Sequence, residues 1–119
     1  MSIARIAETA SLNSRGLAQV ATGVAAIANT LAPGVPFRLR EVRVHLSAAG
    51  GAGDLTATVD AGAGAAYDLQ IIKQDMTAVT DYVWQPSLPM QFEATDEIDF
   101  AWANAGGKTY GLKIFYDLL

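Results

Sequence analysis

The chain of 119 residues has no cysteine, a single histidine and only eight lysines and arginines. Without cysteine there is no disulfide, no thiolate nucleophile and no cysteine-bound zinc, so stability must come from packing. The lone histidine, His45, would have to serve any Ser-His-Asp triad. No serine stands in a strained strand-to-helix turn, and no second general base is available. His45 shares its strand face with Arg43 and Ser47 and reads as a solvated sheet residue. Eight cations against twelve carboxylates leave a net charge of −4, which disfavours nucleic acid as a partner. Charged residues make up 17% of the chain and hydrophobic ones 51%. That balance excludes disorder and leaves few ionisable groups for catalysis. The length suits one domain that buries about two-thirds of its unfolded surface.

Long apolar runs are missing too. The opening MSIARIAETASLNSRG is interrupted by Arg5, Glu8 and Arg15 and lacks the h-region of a secretory signal, so synthesis in a cytoplasm is expected. Residues 16–37 carry no charge, but Gln19, Thr22, Asn29, Thr30 and three glycines divide the segment, which argues against a membrane span.

What is present from Phe37 onward is period-two alternation, the pattern of strands with one buried face. In FRLREVRVHLSA, Phe37 and Leu39 hold one phase and Val42, Val44 and Leu46 the other, so a bulge is expected near Arg40–Glu41. Leu55, Ala57 and Val59 form a second inward set, and Tyr67, Leu69 and Ile71 a third. Extended pieces follow at 79–84 and 88–92, with Pro86 and Pro89 marking a corner or an edge. Ile98, Phe100 and Trp102, then Tyr110, Leu112, Ile114, Tyr116 and Leu118, are expected to face inward from a hairpin closed by NAGGK. The core expected from these phases contains Val42, Val44, Leu46, Leu69, Ile71, Phe100, Trp102, Leu112 and Ile114. GLAQVATGVAAIANTLAPG is open to two readings. Leu17, Val20, Val24, Ile27 and Leu31 fall at helical spacing, whereas Gly23, Thr22 and the lack of any charge for a solvent face favour a strand. With that strand counted, about seven or eight strands make an all-β, antiparallel, jelly-roll-like sandwich over residues 17–119. Residues 1–16, with no period and little apolar mass, form an N-terminal arm.

Three glycine-rich loops invite a phosphate-binding reading: AAGGAGD, DAGAGAA and AGGKT. Such loops bind phosphate because free amides approach the anion and a helix N-terminus follows. Here alternating strands follow instead, so the glycines are expected to turn the chain. In AGGKT, Lys108 and Thr109 end as a P-loop does, but the first glycine of that motif would stand where Trp102 is. Neither a nucleotide nor any other cofactor is expected.

The remaining constellations are weaker. Asp96, Glu97 and Asp99, with Asp54 or Asp60, could offer oxygens to calcium, yet they lack EF-hand spacing and read more simply as a turn and a strand face. Paired carboxylates for glycoside hydrolysis cannot be picked out by spacing. Arg38, Arg40 and Arg43 are expected to pair across strands with carboxylates. Trp84, Trp102, Tyr67, Tyr82 and Tyr110 could form a sugar-stacking surface. Trp102 and Tyr110 lie on the apolar phase and belong to the core, and Tyr82 and Trp84 are singled out as the candidate ligand aromatics.

Taken together, FRLREVRVHLSAAGG, AGAGAAYDL, MTAVTDYVW and FEATDEIDFAWANAGGKTYGLKIFYDLL resemble small β-sandwich structural proteins of tailed bacteriophages, including capsid decoration or cement proteins. The likeness covers residues 17–119 and lies in strand order and loop style. It implies a non-enzymatic virion component on the capsid surface that binds the major capsid protein and forms a homo-oligomer, a trimer being the simplest. It also implies an arm that reaches a neighbouring surface, with Ile3, Arg5, Ile6, Leu12 and Arg15 as contact residues. The competing expectation is a carbohydrate-binding module of a tail or fibre that uses Trp84 and Tyr82.

Overall fold

A computed structural model describes residues 15–119. They form nine strands: β1 (Leu17–Gly23), β2 (Ile27–Leu31), β3 (Phe37–Leu46), β4 (Asp54–Asp60), β5 (Gln70–Asp75), β6 (Asp81–Trp84), β7 (Met90–Phe92), β8 (Glu97–Trp102) and β9 (Tyr110–Leu118). All pairings are antiparallel, in two sheets. The first runs β1-β9-β3-β6, with β7 also on β3, and the second runs β2-β8-β4-β5. The core lies between them.

The segment at 17–31 is extended, as favoured, but it makes two strands rather than one. It bends after Gly23, and β1 joins β9 while β2 joins β8. The helical spacing is incidental, because Val20 and Val24 are 66% and 60% exposed while Ile27 and Leu31 are buried. At this edge Gln19 Nε2 donates to Asn29 Oδ1 at 2.6 Å and to the Thr30 carbonyl at 2.9 Å, which latches one sheet to the other.

The bulge expected in the long strand is present. The register of β3 against β9 shifts between Leu39 and Glu41, so Phe37 and Leu39 are buried together with Val42, Val44 and Leu46. The extra residue leaves Arg38, Arg40, Glu41, Arg43 and His45 all on the outer side. Leu55, Ala57, Val59, Ile98, Phe100, Trp102, Leu112 and Ile114 are buried in the phases expected of them.

Two expectations are corrected. First, β8 and β9 are not a hairpin. They pair with different sheets, and the loop between them crosses from one layer to the other. Buried Asn104 organises that crossing at φ 49. Its Nδ2 donates to the carbonyls of Val24, Ala25 and Lys108, and its Oδ1 accepts the Lys108 amide at 3.0 Å. Second, the inward residue of β5 is Ile72, whereas Ile71 is half-buried and Tyr67 and Leu69 are 62% and 63% exposed. A register shift after Ala57, which pairs with Ile72 while Thr58 pairs with Gln70, reverses the phase. A 3-10 turn at Ala65–Tyr67 also takes Tyr67 out of the strand.

β6 and β7 lie end to end along one edge of β3, Trp84 opposite Val42 and Met90 opposite Leu39. Pro86 and Pro89 stand between them, where a residue without an N–H cannot continue a ladder. Leu17, Tyr116, Leu39 and Met90 form one row across the first sheet. That row marks the end of the sandwich at which residue 15 attaches.

Candidate functional site

The interruption between β6 and β7, together with the short β5, leaves the sandwich open along one edge. The opening is a groove of about 680 Å³ at the end where residue 15 attaches. Ile71 and Leu69 form one wall and Met90 and Phe92 the other. Val59 lies at the base, Tyr67 at the mouth, and Glu93 and Asp96 border it. Phe92 is fixed by stacking on Phe37, with ring centroids 5.1 Å apart. The turn beneath the groove is close-packed. A Cβ on Gly62 would stand 2.0 Å from Thr95 Oγ1, and Asp96 accepts the amides of Gly62 and Glu93 at 3.0 and 2.8 Å. Asp96 therefore closes a turn, as its sequence context suggests. Among the described residues no three histidine or carboxylate side chains converge in a way that would hold a metal ion.

A second constructed feature is the root of the N-terminal segment. Asp117 is fully buried although its strand phase points outward. Its Oδ1 accepts the Gly16 amide at 2.7 Å, Arg38 donates to Oδ2 at 2.9 and 3.2 Å, and Arg40 donates to both oxygens at 3.3 and 3.4 Å. The bulge in β3 places Arg38 and Arg40 together over this carboxylate. Burial pushes the Asp117 pKa up, but the Gly16 amide and the two guanidinium groups outweigh it and hold the carboxyl below its usual range. Gly16 takes the left-handed conformation, φ 63, with open space where a side chain would be. Arg38 and Arg40 thus pair across strands as expected, whereas Arg43 pairs within its own strand, with Glu41. The alternation alone gave no sign that Asp117 would be buried.

Of the contact residues expected on the arm, Arg15 is exposed at the start of β1, and Ile3, Arg5, Ile6 and Leu12 lie outside the described residues. Tyr82 and Trp84 are both half-buried on the inner side of β6, packed against the core. Burial raises the Tyr82 hydroxyl pKa. Among the described residues the exposed aromatic is Tyr67. Tyr67 is among the aromatics considered for a sugar-stacking surface, but the alternation placed it facing inward in a strand.

The glycine loops spend their amides on the protein itself. Gly50 donates to the Val79 carbonyl, Gly64 to Ala61 and Gly107 to Asn104, while Lys108 N and Thr109 N are taken by Asn104 and Ser47. Strands follow each loop, apart from the single 3-10 turn before β5. Positive φ is needed at Gly53, Gly64 and Gly107. Gly50 serves close approach, since a Cβ there would stand 2.3 Å from the Met76 carbonyl oxygen. His45 is exposed and its Nδ1 lies 2.6 Å from Asp81 Oδ1. Among the described residues no helix is long and apolar enough to cross a membrane.

No protein-family model matches the sequence, and a comparison with curated proteins finds no match.

Proposed function

We propose that this protein works by contact, as a non-enzymatic structural component of a virus particle, and specifically as a capsid decoration protein that binds the major capsid protein. The observation that carries the proposal is the apolar groove between β5 and β7, which exposes Tyr67 and Leu69 at the end of the sandwich where the N-terminal segment is anchored. An exposed apolar groove with an acidic border suits a peptide segment or loop of a partner. The buried Asp117 clamp fixes the chain at Gly16, which gives the segment before it a defined departure point toward a partner surface. We read the strand order, β1-β9-β3-β6 facing β2-β8-β4-β5, as a jelly roll whose sixth strand is divided into β6 and β7. Viral coat domains share that architecture with lectins and cupins, so it supports the reading without carrying it.

The test uses particles that lack the protein. Full-length protein should bind them, and a variant without residues 1–14 should bind more weakly while keeping its fold. Tyr67→Ser with Leu69→Ser should also reduce binding, with unfolding changed by no more than about 0.5 kcal/mol because both side chains are exposed. Full binding by the groove variant would remove the groove from the mechanism. Failure of the full-length protein to bind would remove the capsid.

A further inference from the structure

The outer faces of the two sheets carry opposite charge. On the first sheet Arg38, Arg40, Arg43 and Lys113 stand beside Glu41, Asp81 and the buried Asp117. On the second, Asp54, Asp60, Asp75, Glu97 and Asp99 stand beside Lys73 alone. This is four cations against three carboxylates on one face and five carboxylates against one lysine on the other, in a chain whose net charge is −4.

Like charges are also set opposite one another. Arg43 is the cross-strand partner of Lys113, Asp60 of Glu97, and Asp54 of Asp75. Like charges in that relation destabilise an isolated sheet. The cations are partly accommodated by Phe115, whose ring centre lies 5.9 Å from the Arg43 guanidinium carbon and 5.5 Å from Lys113 Nζ. Glu41 also accepts from Arg43 at 2.6 Å. Among the described residues Lys113, Asp60 and Glu97 have no ion-pair partner. The cationic row is flanked by apolar side chains, since Val20 pairs with Lys113 and Val83 with Arg43, 66% and 54% exposed. Both faces thus hold charge that an opposite surface would relieve, and the molecule itself carries both signs.

We propose that these faces are the two halves of one contact, in which the cationic face of one copy docks on the acidic face of a second copy. The contact is head-to-tail, so each docked pair leaves one face of each sign open, and repetition produces a ring or a stack. Four strands at about 4.8 Å by roughly six residues at about 3.4 Å offer on the order of 400 Å² of flat face per copy. That is below the size of a permanent interface, so association is weak, concentration-dependent and sensitive to salt. This self-association does not depend on what the groove binds.

The test is sedimentation of the full chain. The wild type should gain weight-average mass with concentration at low salt and return to monomer at about 0.5 M NaCl, where charges are screened within a few ångströms. Lys113→Glu with Arg43→Gln removes the cationic face, and Asp60→Lys with Glu97→Lys removes the acidic one. Each variant alone should stay monomeric, with wild-type circular dichroism confirming its fold. Each retains one native face, so an equimolar mixture should form a one-to-one dimer that grows no further. A wild type that is monomeric at every concentration in low salt overturns the proposal, and so does association indifferent to salt or to these substitutions. A mixture that fails to pair overturns it as well. If either double variant does not fold, Lys113→Gln and Glu97→Gln serve in its place, each with a several-fold loss of association expected.

Discussion

The Asp117 carboxylate holds the Gly16 amide at 2.7 Å across 101 positions of chain. This one bond ties the root of the N-terminal segment to the final strand, and it belongs to a cluster that also restrains Arg38 and Arg40. Asp117→Asn should weaken the fold by about 1–3 kcal/mol, because the arginines lose their charged partner while solvent screens their exposed parts. Urea unfolding checks this.

The same cluster sets a pH dependence. Because the folded Asp117 pKa lies below its unfolded value, its contribution is complete above about pH 4. It is lost as pH falls through the lower folded value. Glu41, held down mainly by Arg43, and Asp75, held down mainly by the Thr77 amide, act with the same sign. Acid unfolding of Asp117→Asn should therefore show a shallower loss of stability below pH 4 than the wild type, without becoming flat.

Trp102 is 2% exposed, and its indole N–H finds no acceptor among the described residues. Trp102→Ala should cost about 3–5 kcal/mol through the cavity it leaves. Trp102→Phe should cost only about 1–2 kcal/mol, since the lost volume is partly offset by removing an orphaned donor. Equal losses for the two variants would mean that the orphaned N–H carries no penalty.

Asn104 donates to three carbonyls from one nitrogen. Asn104→Ala should destabilise by about 1–3 kcal/mol. Asn104→Asp should destabilise more, because it turns a carboxylate oxygen toward those carbonyls. Thermal unfolding at neutral pH separates the two variants.

Neighbouring glycines should behave differently. Gly50→Ala forces a methyl against the Met76 carbonyl, whereas Gly51→Ala meets nothing within 4 Å. The first should cost about 1–3 kcal/mol and the second almost nothing, as read from unfolding midpoints.

Much of the sandwich is legible in the alternation itself. The slip between Leu39 and Val42 announces the bulge, and Leu55–Val59 and Ile98–Trp102 state their buried faces outright. Which strand lies beside which is a different kind of information. The phases of β8 and β9 are equally consistent with a hairpin or with a crossing between sheets, and it is Asn104, unremarkable in sequence, that supports the crossing. At Leu69–Ile72 two adjacent isoleucines permit either phase, so the choice fell to a bulge that leaves Ile71 unpaired between Gln70 and Ile72. The groove follows from that bulge. Its exposed Tyr67 and Leu69 could not be recognised while they were counted toward the core, and Asp117 is buried by partners distant in the chain.

Among the described residues β1 has a single hydrogen-bonded neighbour, β9, and β2 likewise pairs with β8. During synthesis both early strands must wait, unpaired, until nearly all the residues between them and their partners have left the ribosome. Closure of the sandwich is therefore a late, non-local event, of the kind that makes β proteins slow to fold. In that interval the apolar side chains of β2 stand open to other nascent chains.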